Sequence, residues 1–325
     1  MPRIVDPNPE MIGEAARRLR EASVVAFPTE TVYGLGADTL NPIALHEVYE
    51  LKKRPADNPL IAHVADRAQA RAIVEVWDAQ CDRLAARFWP GPLTLVLPKA
   101  SDVPDGATAG LATIAVRCPR HPVARALIDA FGSPISAPSA NRSGHVSPTT
   151  ARHVADEFGD IDDLLILDGG PCEIGLESTV LDVTASPPRI LRPGAVTREE
   201  LRTAAGEIDD ASEEHRAATS GHPARHYAPR TPADVVDSAA LRSRLAALEA
   251  PAAVLCFDAS AVPAPHRPIE MPADARAYAA RMYQALREAD AVGFDHIVIE
   301  RPPRTSELWL VIETRLVRAS QRQGR

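Results

Sequence analysis

Phe27-Pro28-Thr29-Glu30-Thr31-Val32-Tyr33-Gly34-Leu35-Gly36 follows directly on the apolar run Val24-Val25-Ala26. A short continuous apolar run closed by proline is expected as a buried strand, and the two glycines are expected to set a turn beyond it. Two distant stretches complete the set. Lys52-Lys53-Arg54-Pro55, with Asn58-Pro59-Leu60 and His63, supplies clustered cations. Ala137-Pro138-Ser139-Ala140-Asn141 supplies a hydroxyl and an amide. Clustered cations, small polar donors and glycine turns are what a site for a phosphorylated substrate needs when it has no glycine-rich P-loop.

Outward from these stretches, the pattern alternates between helical and strand periods. Residues 9–22 put Met11, Ile12, Ala15, Ala16 and Leu19 on one helical face. Asn41-Pro42 reads as an N-cap followed by proline at the first helical position, opening a helix through Val48 and Leu51. Strands are expected at 60–64, 93–97, 113–117, 135–137, 164–167, 179–183 and 190–192, and helices at 122–131 and 149–157. This mixture predicts an α/β domain over residues 1–204. The polar, aperiodic stretch that follows is expected to be a linker, 205–231, with an aromatic and basic island at Ala224-Arg225-His226-Tyr227-Ala228-Pro229. Residues 232–325 then alternate again, with helices near 239–248, 273–289 and 307–319 and strands at 253–257 and 296–300, as in a small doubly wound domain.

A chain of 325 residues is long for one core, which agrees with two domains. With 36 Lys and Arg against 44 Asp and Glu, the net charge of −8 disfavours a protein whose main task is gripping nucleic acid. A local basic cavity is compatible with it. Cys81, Cys118, Cys172 and Cys256 are widely spaced, so neither a zinc site nor a disulfide framework is indicated. Charges at Arg3 and Asp6 and the lack of a long apolar run predict no signal peptide and no membrane span, and hence a cytoplasmic location.

At these residues the chain resembles the YrdC family in its long form, the L-threonylcarbamoyladenylate synthases. Further matching stretches occur in family order: Phe88-Trp89-Pro90-Gly91-Pro92-Leu93-Thr94, Ala115-Val116-Arg117, Glu177-Ser178-Thr179, Leu191-Arg192-Pro193-Gly194 and His226-Tyr227-Ala228-Pro229. The resemblance implies a YrdC-like twisted open α/β sandwich with a basic concave cavity. It also implies a linker folding over that active site and a small Rossmann-like C-terminal domain. The implied activity is that of a nucleotidyltransferase: L-threonine, bicarbonate and ATP give threonylcarbamoyl-AMP and pyrophosphate. The product would pass to a separate transferase that forms N6-threonylcarbamoyladenosine in tRNA, so tRNA is an indirect partner only. Mg²⁺ is expected to arrive with ATP and keep several waters, with no protein metal ligand and no tightly bound organic cofactor.

The resemblance also implies roles for residues. The family pattern Lys-x-Arg…Ser-x-Asn is met by Lys52, Arg54, Ser139 and Asn141. Arg54 suits bidentate contact with phosphate and Lys52 a point charge; as residues alone, both also read as solvated cations favoured at a helix C-terminus. ATP contacts are implied for Arg54, Asn58, Thr113, Ser139, Ser147, Arg192 and Tyr227, with Ala137 through its backbone. Threonine contacts are implied for Thr31, His63, Arg117 and Ser178, with Arg117 on the carboxylate. Plainer readings stand beside these: a Pro-Ser turn with an Asn cap for Ser139 and Asn141, a helix cap for Ser147, a structural strand histidine for His63, and a linker anchor on the first domain for Tyr227. Glu30 suits either a base or a magnesium-positioning group. The chain departs from the long form at Ser220-Gly221-His222-Pro223, where a Pro-Gly pair is usual. It departs again at Ser306-Glu307-Leu308-Trp309-Leu310, where a glycine turn is usual. The competing functions are a non-enzymatic module binding double-stranded or ribosomal RNA, carbamoyl transfer of the hydrogenase-maturation type, whose zinc-finger cysteine pairs are missing here, and a scaffold subunit without ATP turnover.

Overall fold

The computed structural model describes residues 1–211 and 227–321. Most of the expected linker, including His226, lies outside the described residues. Among the described residues the chain divides into two compact units: Met1–Ser143 with 148–211, and Gly144–Ser147 with 227–321.

The first unit is built on β1 (Arg3–Val5), β2 (Val25–Phe27), β3 (Gly34–Asp38), β4 (Ile61–His63), β5 (Leu93–Pro98), β6 (Thr113–Arg117), β7 (Ile135–Ser136), β8 (Leu165–Leu167), β9 (Thr179–Asp182), β10 (Arg189–Arg192) and β11 (Asp209–Asp210). They join in the order β1-β8-β2-β3-β7-β4-β6-β5-β9-β10-β11. Helix Arg198–Ala205 and β11 carry this unit beyond residue 204. Side chains alternate across the sheet, so Val25 and Phe27 enter one apolar layer and Ala26 the other. The first layer is completed by Ile12, Ala15, Ala16 and Leu19 of helix Pro9–Arg20 and by Ala124, Leu127, Ile128 and Phe131 of helix Pro122–Phe131.

Local chemistry starts and stops these elements where the pattern says it should. The Asn8 side chain accepts from the Met11 N–H, and Asn41 accepts from Ile43 and Ala44, each followed by proline at the first turn. Gly132, at φ 80°, ends helix Pro122–Phe131 in the left-handed conformation that glycine adopts without strain. One expectation is corrected. Gly34 and Gly36 do not form a turn; they lie within β3, antiparallel to β2, with Val25 opposite Gly36 and Phe27 opposite Gly34. The reversal lies between β2 and β3, where Pro28-Thr29-Glu30-Thr31 sit. Gly36 serves close packing: a Cβ there would stand 2.6 Å from Phe27 Cε1 and 2.7 Å from Ile135 Cγ2.

The second unit has four parallel strands, β12 (Ala233–Val236), β13 (Ala253–Cys256), β14 (Arg267–Glu270) and β15 (Ile297–Glu300), ordered β12-β15-β13-β14. Helices Leu241–Ala246, Ala275–Ala291 and Glu307–Ser320 accompany them, which is the doubly wound alternation expected. Tyr227 is fully buried in this unit at φ 63°, stacked on Tyr283 at 5.5 Å with the Arg315 guanidinium 5.6 Å from its ring. Beside it, the Ala228 N–H donates to Gly144 O at 2.9 Å. No helix among the described residues is long and apolar enough to cross a membrane.

Candidate functional site

Sheet order brings the first unit's three motifs side by side. Leu35 N–H donates to Pro138 O at 2.9 Å, Ala140 N–H donates to Tyr33 O at 2.7 Å, and Gly34 pairs with Ser139 as an isolated bridge. The Ser-x-Asn loop is thereby fixed against β3. Lys52 closes it from the other side. Its ammonium is buried and donates to Ser139 O at 2.5 Å and to Asn141 O, while Ser143 N–H donates to Lys52 O at 2.9 Å. Two of its three N–H bonds therefore bolt the loop in place.

Arg54 organises the next loop. Its Nε donates to Asn58 O at 2.9 Å, and its Nη2 to Asn58 Oδ1 at 2.5 Å and Pro59 O at 2.7 Å. Among the described residues Lys52 and Arg54 hydrogen-bond only to neutral acceptors. Burial, then the Arg54 charge, holds the Lys52 pKa well below its usual value, with Glu157 as a partial offset. Burial first, with the neighbouring Arg192 charge adding to it, brings Arg54 down to about 10. Lys52 thus feels the charge of Arg54, and Arg54 that of Arg192, a run of neighbouring cations suited to a polyphosphate.

Arg192 donates to Ser178 O through Nε at 3.1 Å and through Nη2 at 2.9 Å, and Nη2 also reaches Ser178 Oγ at 3.0 Å. Ser178 Oγ pairs with the buried Thr94 hydroxyl at 2.8 Å. Gly194 permits this approach, because a Cβ there would lie 2.5 Å from Glu177 O and 2.6 Å from the Ser178 carbonyl carbon. In the sequence Thr94 stands out only as the end of the matching Phe88–Thr94 stretch, and no site role was read for it there.

Arg117 ends β6 in direct register with His63 of β4. Its Nη2 donates to Glu30 Oε1 at 2.7 Å, its Nη1 to Thr31 Oγ1 at 2.8 Å, and its Nε to Gly91 O at 3.3 Å. Thr29 Oγ1 donates to Val32 O at 2.6 Å, so the single proton of the 2.8 Å Thr29–Thr31 hydroxyl pair belongs to Thr31. Thr31 Oγ1 is thereby left as the acceptor for Arg117. One N–H on each terminal nitrogen of Arg117 has no partner among the described residues, and a guanidinium binds a carboxylate through two such N–H groups when they are parallel. His63 is 4% exposed, with Nδ1 3.0 Å from Ile61 O and its ring edge-on to Phe27. Burial pushes its pKa down to about 3, the Arg117 charge adds to this, and Glu30 opposes it. The ring is neutral at pH 7, and a carbonyl cannot donate, so Nδ1 carries the proton.

Thr113 lies at the other end of β6 on the same strand face as Arg117, about 13 Å along it by strand geometry. Ala137 is buried with its N–H on Ile61 O at 2.9 Å. Ser147 and Tyr227 belong to the second unit. Among the described residues no group of three or more His, Cys, Asp or Glu side chains has the geometry of a metal site.

The family model described as "Telomere recombination" (Sua5, YciO and YrdC) matches residues 17–194, and that described as "Threonylcarbamoyl-AMP synthase, C-terminal domain" (Sua5) matches residues 196–321. The threonylcarbamoyl-AMP synthase of Bacillus subtilis is 40% identical over 332 residues, 96% of this chain and 94% of that protein. The Pyrococcus abyssi protein of the same name is 49% identical over 229 residues, 69% of this chain and 67% of its own length. The crystal structure of P. abyssi Sua5 complexed with L-threonine superposes with a TM-score of 0.89 at 38% identity, covering 98% of this chain and 97% of that one. The chain belongs to the Sua5/YrdC family, in the form that carries the Sua5 C-terminal domain.

Proposed function

We propose that this protein is an L-threonylcarbamoyladenylate synthase, which converts L-threonine, bicarbonate and ATP to threonylcarbamoyl-AMP and pyrophosphate. The observation that carries this reading is the Arg117 guanidinium, deeply buried yet with one N–H left on each terminal nitrogen. The cations Lys52, Arg54 and Arg192 supply the polyphosphate end of the same unit.

In this scheme the threonine carboxylate docks on Arg117, with Thr31, the neutral His63 and Ser178 nearby. The threonine nitrogen and bicarbonate form a carbamate with loss of water. A carbamate oxygen attacks the α-phosphorus in line, a phosphorus–oxygen bond forms, and the bond to pyrophosphate breaks. Such a displacement needs alignment, neutralised phosphate charge and excluded water more than covalent help. Arg54 faces the triphosphate, with Asn58, Thr113 and Arg192 as further nucleotide contacts. Lys52 holds the Ser139–Asn141 loop whose hydroxyl and amide complete that end. Mg²⁺ bound to ATP would supply screening of the phosphate charge, with no ligand from this chain assigned to it. The product is a mixed anhydride that hydrolyses readily, which favours direct transfer to the enzyme that modifies tRNA. The test is pyrophosphate release with ATP, Mg²⁺ and bicarbonate: release that depends on L-threonine, with L-serine much weaker, supports the assignment, and no release under any condition overturns it.

A further inference from the structure

Glu30 is the carboxylate of the first motif that the reaction above does not use. Both of its oxygens face fixed donors. Oε1 accepts from Arg117 Nη2 at 2.7 Å, and Oε2 accepts from the backbone N–H of Arg120 at 3.0 Å. The side chains of Arg117 and Glu30 are 4% and 2% exposed. A general base needs a lone pair aimed at the proton it removes, and a magnesium ligand needs an oxygen aimed at a hydrated ion. A carboxylate gripped from both ends inside the protein is badly placed for either task. Burial favours the neutral form, but the Arg117 charge and hydrogen bond outweigh it, so Glu30 is held below the usual carboxyl range and stays ionised. An ionised carboxylate with a lowered proton affinity is also a weak base.

Arg117 itself has few other anchors. Among the described residues its remaining hydrogen bonds go to the Thr31 hydroxyl and, at 3.3 Å, to Gly91 O, both neutral. Among the described residues Glu30 is thus the one charged group hydrogen-bonded to the guanidinium, and it fixes its plane. That plane decides whether the two N–H bonds left over present a fork matched to a carboxylate. The Arg120 bond matters for the same reason: it ties the far end of Glu30 to the backbone just beyond β6, so the carboxylate cannot swing with the arginine.

We propose that Glu30 is a positioning residue, which locks Arg117 in the orientation that receives the substrate carboxylate and takes no part in proton transfer or metal binding. The proposal rests on the assignment of Arg117 to the amino-acid carboxylate. It predicts a specific kinetic pattern for Glu30→Gln, which keeps the shape and one acceptor for Arg117 but presents an NH₂ group to the Arg120 N–H. The KM for L-threonine should rise about 10- to 100-fold, the effect of a misplaced charge-assisted contact. The KM for ATP, the Mg²⁺ dependence and kcat at saturating threonine should stay close to wild type. In a double-variant cycle, Glu30→Gln should add almost nothing to the threonine KM of Arg117→Lys, because both changes damage one contact.

Folding of each variant is checked by thermal unfolding, and Glu30→Asp, too short to span both donors, gives a second variant with the same readouts. Four results would overturn the proposal: a folded variant with wild-type threonine KM; threonine and ATP KM values that rise together; a collapse of kcat with unchanged KM, recovering with rising pH as a lost base would; or a shifted Mg²⁺ requirement. Failure of the functional assignment would look different, as wild-type protein that neither binds L-threonine calorimetrically nor releases pyrophosphate when it is added.

Discussion

Lowering the pH from 7 to 4 is expected to take about 3 kcal/mol of stability from the first unit through His63 alone. In the unfolded chain this histidine titrates at its ordinary value of 6.5, whereas in the fold burial and the Arg117 charge push it down to about 3. Between those values the unfolded state binds a proton that the folded state does not. Stability therefore rises with pH across this window, is flat above it, and is lost as pH falls toward 3. Each unit of separation is about 1.4 kcal/mol, and at pH 4 some 2.5 units of the window have been crossed. Glu30 acts lower: its folded pKa lies below 4.5, so its contribution is lost only as pH falls through that lower range. The assay is urea unfolding at pH 4, 5, 6 and 7, comparing wild type with His63→Gln. A Trp309→Phe background leaves Trp77 and Trp89, both in the first unit, as the fluorescent reporters. The wild-type protein should lose about 3 kcal/mol more than the variant between pH 7 and 4. Equal pH slopes, or a His63 resonance titrating near 6.5, would refute the reasoning.

Three further outcomes are expected. Arg54→Ala should abolish ATP use while the fold persists, because its acceptors lie in the short 58–59 loop rather than in the strands or helices of the core; a folded variant with wild-type turnover would remove Arg54 from the phosphate site. Lys52→Met should lower turnover about 100-fold by releasing the Ser139–Asn141 loop. Its unfolding free energy should change by less than about 2 kcal/mol, since removing a buried charge offsets the loss of two hydrogen bonds; unchanged turnover would show that the bolt is unnecessary. Gly36→Ala should cost about 1–3 kcal/mol in chemical denaturation, because Phe27 and Ile135 must both move, and a neutral result would mean that this packing is loose.

Much of the architecture was legible along the chain because its causes are local. Thr113–Arg117 and Pro122–Phe131 have the limits read from the sequence, since an apolar strand run, a proline at the first helical turn and a glycine stop act over a few residues. The alternation of the second unit was legible for the same reason, although β12 and β14 were not foreseen. At the site, the residue types were legible but several of their duties were not. Arg54 and Asn58 are near in sequence, so their pairing lay within reach of local reasoning. Lys52 meets Ser139 and Asn141 across 87 and 89 residues, and Arg117 meets Glu30 across 87. Whether a lysine at a helix end faces a ligand or its own backbone depends on which loop the sheet order delivers beside it. The glycines of the opening motif show the same division. Their residue type announces a place where a side chain is not tolerated, but whether the intolerance comes from a turn or from a ring packed overhead is decided by the partner strand. What the amino-acid sequence determined by itself was the inventory and the local starts and stops. Which donor meets which acceptor, and hence which residues hold the site and which remain open to a ligand, was decided only by long-range packing.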